Sequence, residues 1–242
     1  MTMTPPTPDF RATRRLARLA AWPLALAAAL APATAPAVDG DWAVIAYINP
    51  ELPFNAREVP LHPAPGGLAL TVVNGLWNLV PATLSAKVTD RDGKGRPQAV
   101  AITAAPAGAL AYLRLPGMSE GKVDTPDLRF KDNERDLESA PVALPFKGTT
   151  LRFEPRDKAV WLTDGTRRQK IADIEQRPDG VSPDDWAHGD ALLWAGDLDR
   201  DGKLDVITAL TGDDGATMCV WLSSKAAAGQ LVGKAACMDH AY

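Results

Sequence analysis

The chain has 242 residues, 46% apolar and 23% charged, with a formal net charge of −4. That composition can build a buried core and excludes a disordered polyelectrolyte. The acidic balance argues against nucleic acid or an anionic membrane surface as partner and is compatible with cations. Taken from the start, Arg11, Arg14, Arg15 and Arg18 form a basic region, Leu19 to Leu30 an Ala/Leu-rich apolar run, and Ala35-Pro36-Ala37 a small-residue cleavage pattern. This is the order of a secretory signal peptide over residues 1–37, with the mature chain beginning near Val38 and located in the periplasm or secreted. The apolar run is too short to span a bilayer, which takes about 20 residues, and no later segment does better. Without residues 1–37, which carry four arginines and one aspartate, the formal charge is −7.

Beyond residue 38, short strand-like runs alternate with turn signals. Trp42 to Ile48 is apolar and β-prone. Leu68 to Val73 and Leu76 to Val80 flank Asn74-Gly75, a pair suited to a type I′ hairpin turn because both central residues need positive φ. The string Asp90-Arg-Asp-Gly-Lys94 precedes an apolar strand at Ala99–Thr103 and reads as a tight turn. Residues 119–144 are charged and read as a loop or linker between two β-rich regions, 38–118 and 145–242. In the second region, Thr149–Glu154, Lys158–Thr163 and Thr166–Ile171 predict a three-strand meander, its second hairpin turning on Asp164-Gly165. A further meander runs through Ala191–Ala195, Leu204–Leu210, Thr217–Leu222 and Leu231–Cys237. The predicted fold is all-β, mainly antiparallel meanders in a sandwich- or barrel-like arrangement, with a strand–loop–strand calcium site near the C-terminus.

Cys219 and Cys237 are the two cysteines. An even pair in an exported chain reads as a disulfide. If Val220–Leu222 pairs antiparallel with Leu231-Val232 around residues 225–230, the two cysteines face each other.

The segment from Asp197 to Asp205 carries the most specific chemistry. It reads D-x-D-x-D-G-x-x-D, with carboxylates at Asp197, Asp199, Asp201 and Asp205 and a sharp turn at Gly202. Calcium prefers several oxygen ligands at flexible distances. Three alternating aspartates can converge on one centre, the Lys203 carbonyl can add a main-chain oxygen, and Asp205 can close the shell. An EF-hand would place a bidentate Glu at the twelfth position, where this chain has Thr208, and its flanks would be helical. With strand-like flanks, Gly196 to Asp205 instead resembles the calcium loop of integrin-type FG-GAP and VCBS repeats. The resemblance covers about residues 191–210 in a single copy. It implies bound Ca2+, and the C-terminal stretch resembles small secreted bacterial proteins with one such loop and no assigned activity. The propeller and adhesion role of tandem repeats do not carry over. Asp90–Lys94 repeats the core of the motif but has Val88 where Asp197 would fall.

Neither a nucleophile with its base nor a zinc or phosphate-loop signature is legible. Asp184, Asp185, His188 and Asp190 form a polar cluster before the calcium strand. The functional reading is a calcium-binding β-rich protein with a structural or binding role and an unidentified protein or polysaccharide ligand. Two rivals are a calcium-stabilised hydrolase of an extracellular polymer, using Asp184, Asp185 and Asp190, and an adhesin-like surface module. Trp77, Trp161, Trp194 and Trp221 lie in predicted strands and are expected in the core.

Overall fold

A computed structural model describes residues 42–46, 53–126, 142–157, 159–173, 192–212 and 215–241. The signal-peptide segment 1–37, residues 127–141 of the charged region, and the cluster of Asp184, Asp185, His188 and Asp190 lie outside the described residues. Residues 36–242 belong to one compact unit.

The described residues are almost entirely antiparallel strand, in three sheets. The first contains β1 (Val44–Ala46), β2 (Phe54–Asn55), β3 (Gly67–Val73), β4 (Leu76–Arg91), β5 (Pro97–Ala105) and β6 (Ala111–Leu113) in the order β1-β6-β3-β4-β5-β2, with β7 (Gly121–Lys122) on β4. Strand β4 is 16 residues long. Its first half pairs with β3 and its second half with β5, so the sheet curls about it. The β3–β4 turn is the expected one: Val73 opposes Leu76, and Asn74 and Gly75 have φ of 52° and 78°.

The second sheet is β8 (Val142–Phe146), β9 (Thr149–Arg156), β10 (Ala159–Thr163) and β11 (Arg168–Asp173), in the order β11-β10-β9-β8. It has one strand more than the predicted meander. Val142–Phe146 begins inside the segment read as charged loop, and its inward Leu144 and Phe146 are buried. The β10–β11 hairpin also differs in detail. Thr163 opposes Arg168, leaving a four-residue connection, and its single positive φ is at Gly165. Asp164 builds that turn with its side chain, accepting from the backbone N–H groups of Thr166 and Arg167 at 2.9 and 2.7 Å.

The third sheet, β12 (Leu192–Gly196), β13 (Asp205–Gly212), β14 (Gly215–Leu222) and β15 (Gly233–Ala241), runs in sequence order. It is the predicted second meander. A 3-10 turn, Ser223–Lys225, leads out of β14. Cys219 opposes Cys237 in the β14–β15 register, with Cα atoms 4.1 Å apart and the sulfurs joined as a disulfide.

The third sheet is covered on both faces. Ile207, Met218, Val220 and Leu222 join one apolar core with the first sheet, including Ile45, Leu70 and Leu79. Val206, Cys219 and Trp221 point the opposite way and join Leu144, Phe153 and Leu162 of the second sheet. Successive strand residues face opposite sides, so a strand covered on both faces has no polar alternation. This explains the nearly continuous apolar run of β14. Thr208 is a buried polar residue of β13, and its Oγ1 accepts from Trp221 Nε1 at 3.0 Å.

Candidate metal centre

The acidic loop joins β12 to β13 and is anchored by its apolar residues. Leu198 is buried in the first core and Leu204 in the second. Arg200 and Gly202 adopt positive φ, 62° and 84°, which folds the segment back on itself. The Asp197 N–H donates to the Asp124 carbonyl at 2.9 Å.

This folding brings together Asp197, Asp199 and Asp205. One carboxylate oxygen from each lies within 4.8 Å of the other two, and the group could hold a metal ion. Opposite oxygens around calcium stand about 4.6–5.2 Å apart, twice the usual bond length, so this spacing admits such an ion. Asp197 and Asp205 are buried, 3% and 0% exposed, whereas Asp199 is half-exposed. Asp201 lies outside the group of three. Its Oδ2 accepts from Ser223 Oγ at 2.8 Å and its Oδ1 from the Lys203 N–H at 2.8 Å. For Lys203, the backbone N–H is thus engaged within the loop itself.

Donors around the group leave one oxygen bare. Asp205 Oδ2 accepts from the Leu198 N–H at 2.7 Å and the Asp199 N–H at 3.4 Å, and its Oδ1 from the Ser223 N–H at 2.7 Å. Asp199 Oδ2 accepts from Ser224 Oγ. Asp197 Oδ2 accepts from Lys147 Nζ at 2.9 Å and the Gly202 N–H at 3.1 Å. Asp197 Oδ1 is buried and has no hydrogen-bond partner, one of two such side-chain atoms among the described residues with Trp194 Nε1. An unsatisfied buried polar atom costs about 1–3 kcal/mol, and more when charged. A cation beside Asp197 Oδ1 would remove that cost.

The electrostatics point the same way. Burial is the main influence raising the Asp205 carboxyl to about 7; the Asp199 charge adds to it, while the Ser223 and Leu198 N–H groups act against it. Lys147 is held above its ordinary value by Asp197 and then Asp124, with which it pairs at 2.9 and 3.2 Å. Asp124 is lowered chiefly by its hydrogen bond from Lys147. One ammonium therefore offsets part of the charge here, and it does so from the β8–β9 turn of another sheet.

Several of these residues escape a sequence reading. Ser223 and Ser224 have no motif around them, yet they fasten three aspartates of the loop. Strand adjacency is the signal that could have found them, since Ser223 follows β14, the neighbour of β13. Lys147 and Arg200 carry no such signal. Arg200 donates to Ser119 Oγ at 2.6 Å and to the Glu120 carbonyl at 2.6 Å.

The Asp90–Lys94 string forms a tight turn. Asp92 accepts from the N–H groups of Lys94 and Arg96, each at 2.8 Å, and from Arg96 Nε at 2.7 Å. Its carboxyl is lowered by those bonds from Arg96. Among the described residues the group of acidic side chains able to hold a metal is the one at Asp197, Asp199 and Asp205. Trp194 and Trp221 are buried as expected, while Trp161 lies on the outward face of β10 beneath Arg168. No known protein family, no curated protein and no solved structure matches this chain.

Proposed function

We propose that this chain is an exported, calcium-binding β protein whose ion has a structural role and whose sheets serve binding rather than catalysis. The observation that carries the reading is the buried Asp197 Oδ1, unpartnered and grouped with the carboxylates of Asp199 and Asp205. Calcium fits better than magnesium, because an oxygen-only site on a folded loop tolerates irregular geometry at longer distances, whereas magnesium demands a compact octahedron. Asp201 and the Lys203 carbonyl would be the further oxygen ligands of such an ion.

Ion binding would order a segment that reaches all three sheets. The loop contacts the first sheet through Arg200 and the second through Lys147, while Asp205 starts β13 of the third. The disulfide and the N-terminal segment support a periplasmic or secreted location. The hydrolase reading rests on Asp184, Asp185 and Asp190, which lie outside the described residues.

Titration of chelator-stripped protein with calcium by calorimetry tests the proposal. One site per chain is expected, with a dissociation constant of about 10⁻⁴–10⁻³ M, the range of extracellular modules. Asp197→Asn should lose that heat, Asp92→Ala should keep it, and magnesium should give little. Equal binding by wild type and Asp197→Asn would overturn the assignment.

A further inference from the structure

The outer face of the second sheet is cationic on an acidic chain, and it is concave. A cleft of about 470 Å³ is lined there by Thr150, Arg152, Glu154, Arg156, Thr163 and Arg168, with the Asp164-Gly165 turn at its end. Strand alternation produces it. Leu151, Phe153, Leu162 and Ile171 point inward to the core. Their neighbours Arg152, Glu154, Thr163 and Arg168 therefore point outward.

The registers put two arginines in one row. Arg152 opposes Thr163 on one side and Arg168 opposes it on the other. The two thus emerge two strand spacings apart, about 9.5 Å at the backbone. Neither has a carboxylate partner among the described residues, unlike Arg156 with Asp157 and Arg167 with Asp164. Arg168 is also pre-set: its guanidinium carbon sits 4.2 Å from the centroid of the Trp161 ring. That cation–π contact restrains the guanidinium and leaves its N–H groups able to donate. Asp164 does not cancel this charge, because its carboxylate is occupied by Thr166 and Arg167.

We propose that this face binds a carboxylate-bearing polysaccharide, with Arg152 and Arg168 each taking one carboxylate of an extended chain. Guanidinium forks match carboxylates bidentately. Rooted two strands apart, the two forks can engage two charges along a polymer at once. Glu154, opposite Trp161 on the same face, selects among polymers. A carboxylate repels a dense polyanion but accepts hydrogen bonds from sugar hydroxyls, and Thr150 and Glu154 thus offer polar contacts a sugar chain can use. The proposal gives a ligand class to the binding role above and does not depend on the calcium site.

Calorimetry of the protein with polygalacturonate, in chelator and low salt, is the test; chelator removes calcium bridging and isolates this face. Wild type and Asp199→Asn should bind alike, which separates this outcome from any failure of the calcium reading. Arg152→Gln and Arg168→Gln should each weaken binding tenfold or more, the loss expected for one charge-assisted pair. Arg152→Gln should leave melting unchanged, and Arg168→Gln should lower it only by the small loss of the Trp161 contact. Arg152→Lys should recover only part of the affinity, since it keeps the charge and loses the fork. Glu154→Gln, which removes the repulsive charge, should raise affinity for polyphosphate more than for polygalacturonate. Absence of polygalacturonate binding, wild-type affinity in the two arginine variants, or equal affinity for polyphosphate would each overturn the proposal.

Discussion

Asp199→Asn separates a metal ligand from a mere acceptor, because its effect should reverse sign with calcium. In the metal-free protein Asp199 faces Asp197 and Asp205 with oxygens no more than 4.8 Å apart. A pair of unit charges at that distance repels by about 0.9 kcal/mol in water and about 3.5 kcal/mol at an effective dielectric of 20. Asp199 is half-exposed, and Lys147 already offsets Asp197, so the lower figure governs. Asparagine keeps an oxygen for Ser224 Oγ and removes the charge. In chelator at about pH 8, above the Asp205 value, the variant should therefore be more stable than wild type by about 1 kcal/mol. For a chain of this size that is about 2–4 °C in melting temperature. In calcium the order should invert. Wild type gains about 2.7 kcal/mol at a hundredfold excess over the dissociation constant, or about 5–11 °C, and the variant gains little. Differential scanning calorimetry in the two buffers reads both numbers. If Asp199→Asn melts below wild type by the same amount in chelator and in calcium, Asp199 is a structural acceptor and the ligand argument fails.

Other parts of the fold give independent tests. Replacing both Cys219 and Cys237 by alanine opens a link across 18 residues of sequence separation. The urea midpoint should fall by the equivalent of about 3 kcal/mol; an unchanged midpoint would mean that the bond constrains nothing in the unfolded chain. At Gly233 an added Cβ would stand 2.0 Å from the Lys225 carbonyl oxygen, a backbone atom. Gly233→Ala should therefore cost about 3 kcal/mol and loosen the β14–β15 connection, measured by urea unfolding. Asp164 is held well below the usual carboxylate range, first by the Arg167 and Thr166 N–H groups of its turn. A depressed folded value means that the unfolded chain takes up the proton first, so this contribution is complete above the ordinary 3.8 and fades as pH falls. Asp164→Ala should lose more stability at about pH 6 than at about pH 2.5, and an equal loss at both would refute the linkage.

Local chemistry explains which elements were legible in the sequence. Asn74-Gly75 works as a turn because both residues accept positive φ, a property independent of the rest of the fold. The acidic loop is legible for the same reason: its spacing and its glycine act within nine residues. Where tertiary context decides, the reading falls short. Strand β8 carries Pro145 and adjoins a charged stretch, so only its pairing with β9 reveals it. Strands β2, β6 and β7 are two or three residues long and exist only through their partners. Asp164-Gly165 resembles a two-residue turn in composition, yet side-chain bonds from Asp164 widen it to four.

The position of the third sheet accounts for why the site itself is only half visible. A sheet buried on both faces needs its connecting loops to emerge at the seams between layers, where segments from either side can reach them. The loop after β12 does so: Leu198 enters one core and Leu204 the other, Asp197 meets Lys147 of the β8–β9 turn and the Asp124 carbonyl, and Arg200 reaches Ser119 beside β7. Carboxylates that read as one linear motif are therefore held by side chains 22 to 50 residues away in sequence. A metal bound there would act on the packing of the layers, since fixing Asp197 fixes the partner of Lys147, and fixing Asp205 fixes the first residue of β13. An ion held there would be largely shielded from solvent, because the carboxylates of Asp197 and Asp205 are buried.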